Sequence, residues 1–269
     1  MSGAPHELLA RVAAIARRAG REILEVYASG EPAARLKADA SPLTAADLRA
    51  HRLIEQSLHE LTPEVPVLSE EAAHTRFVQR SQWRRYWLVD PLDGTREFLS
   101  RNGEFTVNIA LIEGHAPALG VVHVPVTDMS YRGLPGVGAW RDREGARAEE
   151  IHVAARAGGT VRVVGSRSHR GDSLDAFLAR VGPHELLPVG SSLKFCMVAE
   201  GAADVYPRLG PTNEWDTAAA HAVVTGAGGT VSRLDGEPLR YNTREELLNP
   251  FFVAYGPRDR DWLALLRAE

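Results

Sequence analysis

The chain has 269 residues, 44% hydrophobic and 25% charged, enough for one large domain or two small ones sharing a core. Its 31 basic and 35 acidic residues give a formal net charge of −4 and are mixed along the chain. That excludes a basic nucleic-acid track and leaves any anionic ligand to local Arg, Lys, metal ions or helix N-termini. The single cysteine, Cys196, rules out an intramolecular disulfide and fits a reducing compartment. No apolar run reaches the ~18 residues of a membrane span, and the N-terminus alternates apolar with charged residues. The expectation is a soluble, cytoplasmic protein.

In chain order, Leu8, Val12, Ile15, Ala19, Ile23 and Val26 recur at helical spacing and predict a first amphipathic helix. A second is predicted over Ala45–Leu61. Trp87–Val89 reads as a short strand that ends abruptly in a turn at Asp90-Pro91-Leu92-Asp93-Gly94. Phe105, Val107, Ile109 and Leu111 alternate with Thr106, Asn108 and Ala110, the period of a half-buried strand. Glu113-Gly114-His115 turns it into a hairpin with Gly120–Val124. Beyond Gly159 come strand Val161–Gly165, helices Ser173–Val181 and Ser192–Glu200, strand Val205-Tyr206 and helix Thr217–Thr225. Strands near Thr230–Leu234 and Phe251–Tyr255 and a helix over Asp259–Arg267 complete the chain. Helices, then antiparallel strands, then alternating strands and helices predict an α+β protein. Its N-terminal half (about 1–158) is α+β with an antiparallel sheet, its C-terminal half (159–269) is α/β, and Gly158-Gly159 is the candidate hinge.

The chemistry concentrates in Asp90-Pro91-Leu92-Asp93-Gly94-Thr95. Pro91 stiffens the segment and Gly94 permits a backbone that side chains forbid, so two carboxylates and the Leu92 carbonyl can converge. Hard oxygen donors of this kind suit Mg²⁺. Alone, the segment is equally an ordinary Asx-type turn. Three further acidic positions have plain readings of their own: Ser69-Glu70-Glu71 as a solvated loop after Val65–Leu68, Asp216 as an N-cap, and Asp47 as the partner of Thr44 in a capping box.

Taken together, Asp47, Glu70-Glu71, DPLDGT at 90–95 and WDTAAAHA from Trp215 resemble the inositol monophosphatase superfamily over nearly the whole chain. The resemblance implies one catalytic unit over 1–269, folded as a layered α/β sandwich. It implies metal ligands at Glu70, Asp90, the Leu92 carbonyl, Asp93 and Asp216. Two Mg²⁺ ions are implied, with a third, weaker one beside Glu70 and lithium inhibition at that site. Asp47 and Thr95, with Glu70, would activate a water, and Gly94 and Thr95 would offer N–H groups to the phosphate. Crowded carboxylates make sense only with cations between them, and two cations can serve both attacking and leaving oxygens. Other phosphatase chemistries lack their motifs, including an Arg six residues after Cys196 and a G-x-x-x-x-G-K-[ST] loop. Cys196 reads as a small buried residue.

Three segments resemble the CysQ-type branch, which removes the 3′-phosphate of adenosine 3′,5′-bisphosphate. They are Gly165–His169, Gly190–Cys196 and Tyr206–Thr212. Arg96 departs from the Lys more usual there, keeping the charge and changing its geometry. Lys194 and Arg208 could meet a second phosphate, and His169 and Ser191 could contact ribose, base or phosphate. Their plain readings are solvated charge, a surface loop and a helix cap. The substrate-contact set is thus Leu92, Asp93, Gly94, Thr95, His169, Ser191, Lys194, Arg208 and Asp216. An inositol or fructose bisphosphate phosphatase with the same metal centre, and a catalytically silent metal- or nucleotide-binding regulator, are the competing readings. Lys37–Leu43 is a candidate flap over the site, Lys37 itself reads as solvated, and the sequence leaves monomer and homodimer open.

Overall fold

The structure, a computed structural model, describes residues 3–30, 35–36, 42–157, 159–166, 172–256 and 258–267. The elements in order are α1 (Gly3–Ser29), β1 (Arg35–Leu36), β2 (Pro42–Leu43), α2 (Ala45–Leu61), β3 (Val67–Ser69), α3 (Phe77–Arg80), β4 (Arg85–Asp93), α4 (Thr95–Leu99), β5 (Thr106–Glu113), β6 (Ala116–Val124), β7 (Met129–Leu134), β8 (Gly138–Asp142) and β9 (Glu149–Glu150). They continue with β10 (Val161–Ser166), α5 (Asp172–Val181), β11 (His184–Val189), α6 (Leu193–Ala199), β12 (Val205–Arg208), α7 (Glu214–Gly226), β13 (Thr230–Arg233), β14 (Phe252–Tyr255) and α8 (Trp262–Arg267). Strands β3 to β9 form one sheet in sequence order, antiparallel except for the parallel β3–β4 pair. A second, mixed sheet has the order β11-β10-β12-β14-β13.

Alternation of side chains along the strands stacks these elements in five layers. Val107, Ile109 and Leu111 of β5 meet Val12, Ala16, Ile54 and Leu58 of α1 and α2 on one face. Ala110 and Ile112 point the other way, into a core with Phe195, Ala219 and Val223 of α6 and α7. Val164, Tyr206 and Phe252 close that core from the second sheet, whose far face (Val161, Val163, Val205, Val253) packs on Phe177 of α5 and Trp262 of α8. Strand β5 is therefore buried on both faces, not half-buried as its alternation predicts. Its second face is sealed by a helix more than a hundred residues away, which a local pattern does not reveal. Glu200, closing α6, accepts from the Tyr131 hydroxyl (3.0 Å) and Arg141 Nη1 (2.6 Å), tying the middle helices to the first sheet.

Helix α7 lies unusually close to that sheet. Gly120 and Gly133 pair across β6 and β7. A Cβ on Gly120 would sit 2.2 Å from the Ala219 carbonyl oxygen, and one on Gly133 2.4 Å from that of Ala222. Further along, a Cβ on Gly226 of α7 would sit 2.4 Å from the Gly138 carbonyl oxygen. Only hydrogen in place of Cβ allows main chain to meet main chain here.

Several element ends differ from expectation: β4 runs over Arg85–Asp93 rather than Trp87–Val89, and β6 begins at Ala116 rather than Gly120. Helix α7 starts three residues before Thr217, because Asn213 caps it. Helix α8 starts at Trp262 rather than Asp259, whose Oδ1 instead accepts from the Ala157 amide at 3.2 Å. Gly158 of the candidate hinge lies outside the described residues.

Burial also sets an acid liability. His123 of β6 is enclosed with its Nδ1 2.9 Å from Ser130 Oγ, and α1 closes over the ring at Gly20. Desolvation lowers its pKa to about 4; Asp128 opposes this, while Arg17 and Arg21 add to it. The folded-state value lies below the unfolded value of about 6.5, so the stability held by neutral His123 is complete above pH ~6.5 and drains as pH falls toward 4. The buried carboxylates described below act with the opposite sign, so wild type is compared with His123→Gln. Between pH 7.5 and 5, urea denaturation is expected to show wild type losing about 2 kcal/mol more than the variant. Equal losses would place His123 in water.

Candidate metal and phosphate site

Strand β4 runs through the DPLD segment instead of stopping at it. Asp90 pairs with Asn108 and Asp93 with Thr106, so three steps on β4 oppose two on β5. In a regular strand, residues three apart face opposite ways; the extra residue of this bulge turns Asp90 and Asp93 to the same side. The Leu92 amide donates to Asp90 Oδ1 at 3.0 Å, so the Asx-type contact exists within the bulge. Gly94 follows at φ +91°, where a Cβ would also crowd the Glu104 carbonyl at 3.1 Å, and the chain enters α4.

The third carboxylate arrives from the other half of the chain. Asp216 is the third residue of α7, not its cap, and its Oδ2 accepts from the Asn213 amide at 2.9 Å. Carboxylate oxygens of Asp90, Asp93 and Asp216 all lie within 4.8 Å of one another. Parallel pairing of Ser69 with Val89 brings Glu70 to the same cavity. His51 of α2 braces this strand end, with Nδ1 2.9 Å from Ser69 Oγ.

These groups are uneasy as bare anions. Burial, then the charges of Glu70, Asp93 and Asp216, pushes the Asp90 carboxyl well above its usual range. Burial, then Asp93 and Glu70, does the same to Asp216. Asp93 is also raised by burial, against the pull of Lys194 and of hydrogen bonds from Ser192 and Asn108. A donor set of hard oxygens whose mutual repulsion rises with burial fits a small divalent cation.

Asp47 carries two loads. Its Oδ2 accepts from the Thr44 amide (2.7 Å) and hydroxyl (2.6 Å), while Thr44 Oγ1 accepts from the Ala46 amide (3.1 Å). That is the expected capping box. Its Oδ1 lies 3.4 Å from Thr95 Oγ1, which also sits 3.3 Å from the Leu92 carbonyl. One oxygen of Asp47 therefore caps α2 while the other faces Thr95.

The same cavity, of about 390 Å³, is also lined by Arg96, Ser191, Lys194, Tyr206, Arg208 and Thr212. Lys194 is buried, unlike the solvated residue of its plain reading. Its Nζ donates to the Ser191 carbonyl at 2.5 Å and lies 5.7 Å from the Tyr206 ring centroid. Desolvation lowers its pKa to about 8, resisted by Asp93. Arg208 is held by Thr212 Oγ1 and by the Pro211 carbonyl (2.6 Å). Ser191 adopts φ +45°, and Ser192 rather than Ser191 occupies the N-cap position of α6. His169, Lys37 and most of the candidate flap lie outside the described residues. Thr106, Asn108 and Ser192, all buried beside Asp93, were not expected. Two polar residues on one face of the otherwise apolar β5 were the available signal. Cys196 is buried in α6, as read.

A family model described as the inositol monophosphatase family matches residues 5–264. The chain belongs to that family. It is 51% identical over 246 residues to the 3′(2′),5′-bisphosphate nucleotidase CysQ of Escherichia coli strain K12, covering 91% of this chain and 98% of the relative. The crystal structure of CysQ from Bacteroides thetaiotaomicron superposes with a TM-score of 0.81 at 42% identity, covering 95% and 98% of the two chains. The extragenic suppressor protein suhB of Bartonella henselae gives a TM-score of 0.76 at 25% identity, over 97% of each chain. The layered α+β sandwich is the family's fold, and the family is metal-dependent, in keeping with the acidic cluster. No described helix is long and apolar enough to cross a membrane.

Proposed function

We propose that the protein is a Mg²⁺-dependent 3′(2′),5′-bisphosphate nucleotidase that converts adenosine 3′,5′-bisphosphate to AMP and phosphate. The observation that carries it is one cavity lined both by a carboxylate cluster and by the cations Lys194 and Arg208. Relatives near 50% identity bearing that name support the nucleotide over other phosphomonoesters. We assign Asp90, Asp93, Asp216, Glu70 and the Leu92 carbonyl to hold two Mg²⁺ ions, with a third beside Glu70. When bound, such ions neutralise the phosphate and leaving oxygen and acidify water. Asp47, through Thr95, accepts the proton of the attacking water. The amides of Gly94 and Thr95 hold the scissile phosphate. Lys194 and Arg208 bind the second phosphate, while Ser191 and His169 contact the nucleoside. The ligands span both halves, so 1–158 and 159–269 act as one unit, a cytoplasmic monomer or homodimer.

The test is phosphate release with and without Mg²⁺, from adenosine 3′,5′-bisphosphate, inositol 1-phosphate and fructose 1,6-bisphosphate at equal subsaturating concentration. Metal-dependent release led at least tenfold by the nucleotide is expected. A lead by inositol or fructose phosphate keeps the metal centre and discards the substrate. No release from any of them points to a silent binding protein.

A further inference from the structure

Asp93 and Asp216 come from different halves of the chain, and one hydroxyl touches both. Ser192 Oγ lies 2.8 Å from Asp93 Oδ2 and 2.6 Å from the Asp216 main-chain carbonyl. Asn108 Nδ2 donates to the same hydroxyl at 2.9 Å and lies 3.4 Å from Asp93 Oδ2. The Asn108 amide is itself oriented, because Thr106 Oγ1 donates to Asn108 Oδ1 at 3.0 Å. All three uncharged residues are at most 2% exposed. The donors run one way: Thr106 to Asn108, Asn108 to Ser192, Ser192 to the two acceptors. With Asn108 filling a lone pair, the single Ser192 proton is directed at the oxygens of Asp93 and Asp216 and is shared between them.

We propose that Ser192, oriented by Asn108, is a positioning residue that fixes the spacing of Asp93 and Asp216 and thereby sets metal affinity. No other side chain among the described residues is shown hydrogen-bonded to both. Lys194 acts on Asp93 and Asp216 by charge, without a hydrogen bond to either, and the Asn213 amide holds the Asp216 side chain. A carboxylate on a bulged strand and one on a helix can drift apart with every breath of the interface between halves. A buried hydroxyl bonded to the Asp93 carboxylate and to the main chain that carries Asp216 resists that motion, as outer-shell partners of metal ligands generally do. Its place at the N-cap of α6 is apt, since the first turn of that helix presents Lys194 to the cavity.

This rests on Asp93 and Asp216 being metal ligands, but not on which phosphomonoester is cleaved. The test is calorimetric titration of substrate-free protein with Mg²⁺, beside the melting temperature of the metal-free form. Ser192→Ala is expected to weaken Mg²⁺ binding about 10- to 100-fold, and Asn108→Ala about tenfold. Because the two act in series, the double variant should bind no worse than Ser192→Ala alone. The metal-free melting temperature should move little beside the change in affinity. Wild-type Mg²⁺ affinity in Ser192→Ala overturns the proposal, as does full additivity in the double variant. If Ser192→Ala does not fold, Asn108→Ala decides by the same readout. No Mg²⁺ binding by the wild-type protein removes the ligand reading and this proposal with it.

Discussion

Asp90→Asn is expected to lower kcat/KM by about 1,000-fold or more while making the metal-free protein more stable. The two effects have one cause. Asp90 is buried among Glu70, Asp93 and Asp216, whose charges raise its pKa, so its negative charge is costly until a cation offsets it. Asparagine removes that charge but keeps an oxygen to accept from the Leu92 amide, so the bulge survives. Under the proposed assignment, what goes is a charged metal ligand, and with it several kcal/mol of transition-state stabilisation at about 1.4 kcal/mol per tenfold. Wild type should gain melting temperature as Mg²⁺ is added, by binding to the folded state alone. The variant should start higher and gain little. Near-normal turnover at saturating Mg²⁺ would remove Asp90 from the metal centre.

The second large effect lies in the packing beneath the site. Gly120→Ala places a methyl where the Ala219 carbonyl oxygen is 2.2 Å away, and the obstacle is main chain rather than a side chain able to swing aside. Overpacking of this kind typically costs 1–3 kcal/mol, and a rigid obstacle raises it; a loss of about 3 kcal/mol or more is expected in urea denaturation. Helix α7 must lift to relieve the clash, and Asp216 lies in its first turn, so Mg²⁺ affinity should fall as well. Gly159→Ala is the control, since nothing lies within 4 Å of a Cβ there, and it should change stability by no more than about 0.5 kcal/mol. A Gly120→Ala protein melting with wild type would show the helix to be seated elsewhere.

Much of the architecture can be read from local signals. The bounds of α2 are those predicted, because Thr44 and Asp47 announce its start chemically. The acidic positions, too, are visible as residues. What they do together is not, because strand spacing alone sends Asp90 and Asp93 to opposite faces and only the pairing with β5 reveals the bulge. The second buried face of β5 depends on α7, and the start of α7 on Asn213, within a Pro-Thr-Asn stretch that looks like plain loop. Lys194 can be picked out as a phosphate contact or as a solvated charge, and its burial against Tyr206 and the Ser191 carbonyl removes the second reading. Ser192 is one of two adjacent serines, and only its distances to Asp93 and Asp216 distinguish it.

The division of labour within Asp47 bears on how sequences of this kind diverge. One of its oxygens caps α2 and the other faces Thr95. A descendant that gave up turnover would still be selected to keep the aspartate, since losing an N-terminal cap costs ~1 kcal/mol of a marginal total. Thr95 has no such second duty within a helix cap, so it is free to drift first. Among diverged copies, an intact Asp47 therefore testifies to a folded helix, and under the proposed mechanism an intact Thr95 beside it testifies to a working enzyme.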